Sequence, residues 1–72
     1  MNTYRVDYVH DDQPNSSIVT YTASRAHALT KAAKISARSS VGIAYVIATV
    51  DGQDVGQRVY ANGFFSHQDD QF

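Results

Sequence analysis

Apolar and polar positions change period along this chain, and each change marks an element. Tyr4, Val6 and Tyr8 alternate with Arg5 and Asp7, the period of two expected of a strand with one buried face, so a first strand is predicted over residues 3–9. Residues 10–16 read HDDQPNS, residues that favour turns through a fixed φ or local side-chain bonding, and they predict a loop. Residues 17–22 are rich in β-branched side chains, with Val19, Tyr21 and then Ala23 on one side and Ile18, Thr20 and Thr22 on the other. They predict a second strand, antiparallel to the first, with Tyr21 facing the core alongside Tyr4 and Tyr8.

The period then lengthens to that of a helix. Ala28, Leu29, Ala32 and Ile35 fall together on a helical wheel, while His27, Lys31, Lys34 and Arg38 follow the i, i+4, i+7, i+11 spacing that lines one exposed edge. Ser24 suits an N-cap, no Gly or Pro interrupts residues 25–38, and Ser39, Ser40 and Gly42 are expected to end the helix. Residues 43–50 are almost continuously apolar, short and partly β-branched, which predicts a central strand buried on both faces. Asp51-Gly52 is a strong type I′ hairpin signal, so residues 53–60 should return as a fourth strand, weakened or bulged at Gly56. Residues 61–72 hold Asn62-Gly63 and the polar SHQDDQ, and residues 66–72 are expected to form a flexible tail.

The sum is one small α+β domain over residues 1–72, β-β-α-β-β, an antiparallel sheet with one helix packed on one face. The opposite face, thinly covered, would carry Arg5, Asp7, Ile18, Thr20 and either Tyr45 or Tyr60, and is a candidate interface. Seventy-two residues stand near the lower limit for a core that folds unaided. The chain has no Cys, so neither a disulfide nor a thiolate metal site can supplement that core, and a reducing cytoplasm is the natural compartment. No basic region with a following apolar run opens the sequence, and its longest apolar segment is about half what a bilayer needs, so neither export nor a membrane partner is expected.

Six Lys and Arg against seven Asp give a net charge of -1, which carries no overall bias toward nucleic acid. The bias is local: Arg25, Lys31, Lys34 and Arg38 sit on the helix segment, while Asp11, Asp12, Asp51, Asp54, Asp69 and Asp70 sit in loops and the tail. A dipolar domain is expected, basic over the helix and acidic at the loop ends. His10-Asp11-Asp12 and His67 with Asp69 and Asp70 are metal-ligand types, but nothing orients a third ligand, and solvated polarity explains them better. Ser16, Ser17, Ser24, Ser39, Ser40 and Ser66 read as turn and helix-end residues rather than nucleophiles, and the isolated glycines make no phosphate loop. No catalytic residue, cofactor or metal is therefore expected. The basic row His27, Lys31, Lys34 and Arg38 could follow a phosphate backbone or engage an acidic protein surface, with Tyr45 or Tyr60 as an aromatic anchor.

The order YRVDY, then SIVTYTASRAHALTKAAK, then an apolar strand resembles a group of very small phage-encoded proteins in which two strands lead through an A-S-x-A-x-A-L turn into one helix. The resemblance covers about residues 3–50. The group includes inhibitors and antiterminators with which lytic phages take over bacterial RNA polymerase, and some small anti-CRISPR proteins are similar in size and layout. The resemblance implies a non-enzymatic regulator in the bacterial cytoplasm that binds RNA polymerase and inhibits or modifies initiation or termination. Arg5, His27, Lys31, Lys34, Arg38 and Arg58 would then meet the protein partner. In one inhibitor of this layout the strand after the helix carries arginines that grip an acidic part of the enzyme; residues 43–50 have none here, and Arg58 is the nearest substitute. The alternatives are an inhibitor of another host system, such as a CRISPR effector, with Asp51, Asp54, Asp69 and Asp70 mimicking phosphate, and a small nucleic-acid-binding protein. Monomer and homodimer both remain open.

Overall fold

A computed structural model describes residues 2–10, 17–38 and 41–72. Asp11 and Asp12, most of the loop expected at residues 10–16, and the helix-ending pair Ser39 and Ser40 lie outside the described residues. The elements are β1 (Asn2–Val9), β2 (Ser17–Thr22), α1 (Arg25–Ser36), β3 (Ile43–Val50), β4 (Gln53–Ala61) and β5 (Phe64–Gln68). The strands form one sheet in the order β2-β1-β3-β4-β5, each antiparallel to its neighbours. Strands β2 and β3 flank β1 and so run parallel to each other, which obliges the chain to cross over β1 between them. Helix α1 is that crossover. It covers one face of the sheet, mainly over β1 and β3, and this is the α+β layout the patterning predicts, lengthened by a fifth strand.

Local chemistry accounts for the helix ends. The Ser24 side chain accepts the His27 N–H at 3.2 Å, relieving one of the free amides of the first turn. Ala37 is the C-cap, so α1 stops earlier than residue 38, and Arg38 follows it with its N–H on the Ile35 carbonyl at 3.1 Å. Ala28, Ala32 and Ile35 are buried as the periodicity predicts, against Val6, Ala44, Val46 and Tyr60 of the sheet, with Leu29 partly covered. Ser36 is fully buried as well. Its hydroxyl donates to the Ala33 carbonyl at 3.0 Å and accepts the Gly63 N–H at 2.9 Å, which ties the end of the helix to the β4–β5 turn.

Three expectations about strand faces are corrected. The β1–β2 register passes from Val6 opposite Thr20 to Asp7 opposite Ile18, leaving Val19 as the extra residue of a bulge. A bulge shifts the side-chain phase by one: Val19 packs on the core, Thr20 lies opposite buried Val6, and Tyr21, expected inside, is 62% exposed. Of the two tyrosines offered for the open face, Tyr45 lies there beside Arg5 and Asp7, while Tyr60 pairs with Ala44 and is buried. The middle strand β3 is not buried on both faces. Ala44, Val46 and Ala48 are buried under the helix, whereas Tyr45 and Ile47 between them are half-exposed.

The segment expected to be a flexible tail is placed as structure. Asn62-Gly63 repeats the backbone of Asp51-Gly52, with φ of 54° and 91° against 51° and 82°, the paired positive φ of a tight hairpin turn that Gly adopts without strain. The chain therefore returns as β5. Beyond it the Asp69 N–H bonds the Gln57 carbonyl at 2.9 Å, and Phe72 packs edge-on against Tyr4 at 6.1 Å with Arg25 over its ring at 4.8 Å. The returning backbone lies so close to Gly56 that a Cβ there would stand 2.7 Å from the Phe72 nitrogen. The predicted irregularity falls beside that glycine, where Val55 is the bulged residue of β4.

Candidate functional site

Helix α1 holds the basic row in line. His27, Lys34 and Arg38 are exposed and Lys31 is half-buried, and among the described residues none of the four makes an ion pair. Lys34 in the last turn and Arg38 just beyond it complement the negative end of the helix dipole, a contribution of about 0.3–1 kcal/mol each. His27, in the first turn, faces the positive end, where the dipole gives a cation no support. Where this edge meets the sheet there is a groove of about 270 Å³, with Lys31, Ile35 and Arg38 from the helix side, Tyr8 and His10 from the end of β1, and Val19 from β2. The rings of Tyr8 and His10 pack edge-to-face at 4.9 Å.

The other face of the sheet carries a different chemistry. Arg5 donates from Nε to both oxygens of Asp7 at 3.0 and 3.2 Å, and from its two terminal nitrogens to Asp54 at 3.3 and 3.2 Å. Asp7 is buried, while Asp54 is largely open to solvent. Partial burial opposes the charge on Arg5, but the hydrogen bond and Coulombic pull of Asp7, with Asp54 adding, outweigh it and hold the guanidinium above its usual value. A cation raised in the folded state contributes its stabilisation below the ordinary arginine value wherever its carboxylate partners are ionised, and loses it as pH rises through the raised arginine value. Around this centre lie Tyr45, Ile47, Val9 and Gln57.

The six residues expected to contact a partner thus fall in three places. His27, Lys31, Lys34 and Arg38 share the helix edge; Arg5 is on the opposite face between two carboxylates. Arg58 is held by its own strand neighbours, with its guanidinium 4.5 Å from the Phe65 ring centroid and 5.4 Å from that of Tyr60, and its Nη1 donating to Gln68 at 3.3 Å. Its Nε is buried without a partner among the described residues. In the acidic set, Asp54 is taken by Arg5 and Asp69 accepts the Gln57 N–H at 3.3 Å, so both of these supposed phosphate mimics have work inside the domain.

Ser66 lies in β5 rather than in a turn, and its hydroxyl is 3.1 Å from His67 Nδ1. That pair is exposed, and among the described residues no carboxylate orients the imidazole. Among the described residues no three His, Asp or Glu side chains gather where a metal could sit, and no helix is long and apolar enough to cross a membrane. The groove is the feature that sequence reasoning missed. The spacing of Lys31, Ile35 and Arg38 was visible in the helical pattern, but the wall opposite them comes from β1 and β2, which no local window relates to the helix. No protein-family model, no curated protein and no solved structure matches this chain.

Proposed function

We propose that this chain is a non-enzymatic, phage-type regulator that binds bacterial RNA polymerase through the basic edge of α1 and thereby inhibits or modifies transcription. The observation that carries the reading is the row His27, Lys31 and Lys34 on α1 with Arg38 just beyond its C-cap, free of ion pairs among the described residues. Lys31, Lys34 and Arg38, unpaired among the described residues, favour an acidic partner surface, since complementary potentials speed encounter and fix orientation. The strand, strand, helix, strand order through β3 is the layout on which the resemblance to host-takeover proteins rests. In this reading the contact set is narrower than the sequence suggests: Arg5 serves Asp7 and Asp54, and Arg58 serves its aromatic neighbours.

Affinity capture of the tagged protein from bacterial lysate, with and without nuclease, tests the reading by mass spectrometry. Recovery of the β and β′ subunits in the presence of nuclease is expected, and combined reversal of Lys31, Lys34 and Arg38 to Glu should lower it by about tenfold or more. Recovery that vanishes with nuclease would replace the reading with nucleic-acid binding, and recovery of a CRISPR effector instead of polymerase would move the target to another host system.

A further inference from the structure

We propose that the groove between α1 and β2 takes an extended acidic protein segment in which one apolar side chain lies between two carboxylates. The proposal rests on reading the helix edge as a protein-contact surface, and adds which kind of segment that surface recognises. Rim and floor of the groove differ in chemistry. Ile35, 3% exposed, and Val19 supply an apolar floor, while Lys31 and Arg38 stand on either side of Ile35 along the chain. Lys31 and Ile35 are one turn apart in α1 and Arg38 follows its right-handed C-cap, Ala37, so continuing ~1.5 Å per residue through that cap sets the two cations ~10 Å apart along the axis with the isoleucine near the midpoint.

An extended segment presents every second side chain to the same side at ~6.7 Å intervals. A pattern acidic-x-apolar-x-acidic therefore sets its carboxylates ~13 Å apart around a central apolar group. The mismatch of ~3 Å is small beside the reach of flexible lysine and arginine side chains. The volume, about 270 Å³, accommodates one leucine-sized side chain and some backbone, whereas a helix ~10 Å across would not enter. Ile18, 55% exposed at the outer lip, extends the apolar lining toward solvent. A polynucleotide fits less well, because Tyr8 and His10 are packed on each other rather than presented as a platform for stacked bases.

Fluorescence anisotropy with a labelled, end-blocked peptide carrying Glu-Thr-Leu-Thr-Glu at its centre tests the proposal. Replacing its Leu by Ser, or both Glu by Gln, should each weaken binding by about tenfold. In the protein, Ile18→Ser and Arg38→Glu should each weaken binding comparably, whereas Thr30→Glu, exposed on the same helix but outside the groove and the basic row, should change it less than about threefold; circular dichroism confirms that each variant is folded. Equal binding of the Leu and Ser peptides, absence of binding, a Thr30→Glu loss as large as that of Arg38→Glu, or tighter binding of a single-stranded oligonucleotide of equal charge would each overturn it. The same variants in polymerase capture separate the two proposals. Capture that survives Ile18→Ser but not charge reversal leaves the polymerase reading standing without the groove, and peptide binding without polymerase capture does the reverse.

Discussion

The two faces of the sheet are built from the same strands, yet they follow opposite rules. Under α1, Val6, Ala44 and Val46 have no contact with solvent. One residue along the chain in either direction, Arg5, Asp7, Tyr45 and Ile47 point the other way, and that face is organised around an ion network instead of a packed core. Val46 and Ile47 are neighbours of similar character, and the larger, more apolar of the two is the one left half-exposed. Side-chain hydrophobicity therefore did not select the buried face; the crossover of α1 above β1 did, because a single helix can cover one side only. The uncovered side meets that constraint by gathering its charge into Arg5, Asp7 and Asp54, where each carboxylate finds a donor.

This contrast can be broken most severely at its ionic centre. Arg5→Met removes the guanidinium that donates to both oxygens of buried Asp7, and urea denaturation should show a loss of about 2–4 kcal/mol, most of it the penalty of an unpaired buried carboxylate. Asp54→Asn in the same network should change stability by less than about 1 kcal/mol, since Asp54 is largely solvated and its attraction is screened. Equal losses for the two would mean that burial of Asp7 does not govern the network.

The adjacent pair on β3 sharpens the comparison at a smaller scale. Val46→Ala should destabilise by about 2 kcal/mol because it opens a cavity in the packed layer, whereas Ile47→Ala, though it deletes more atoms, should cost about 1 kcal/mol or less. A reversed order would show that the face opposite the helix is covered in solution, for example by a second copy of the chain. A substitution of similarly small effect tests how far the covered side depends on its last residues. Gly56→Ala forces a Cβ against the backbone at Gln71 and Phe72, and should cost about 1 kcal/mol. Loss of the Phe72 to Tyr4 contact should then appear as faster amide exchange at Asp69, whose N–H bonds the Gln57 carbonyl, and at Phe72, whose N–H bonds the Asp69 carbonyl.

Much of the architecture was legible residue by residue. The alternation in β1, the Ser24 cap, the run of small and apolar helix positions and the Asp51-Gly52 turn all express preferences that act within a few residues. The fifth strand was legible in principle as well, since Asn62-Gly63 carries the same turn chemistry as Asp51-Gly52 and is followed by two phenylalanines; the polar residues after them drew the reading toward a tail. The row on the helix edge was equally plain, because a fixed helical repeat converts spacing directly into position.

Other features had no local signal at all. Which side of β2 faces inward depends on a bulge at Val19 that exists only relative to β1. The pairing of Arg5 with Asp54 joins residues 49 apart in sequence, and the groove needs β2 and the end of β1 beside the helix before Lys31, Ile35 and Arg38 line anything. The bond from the Gly63 amide to the Ser36 hydroxyl likewise joins residues 27 apart in sequence. The identity of each element follows from propensities and periods that one short window contains. Strand order, face and register emerge from pairings between distant segments, where packing under α1 selects one arrangement from several that the local preferences permit equally.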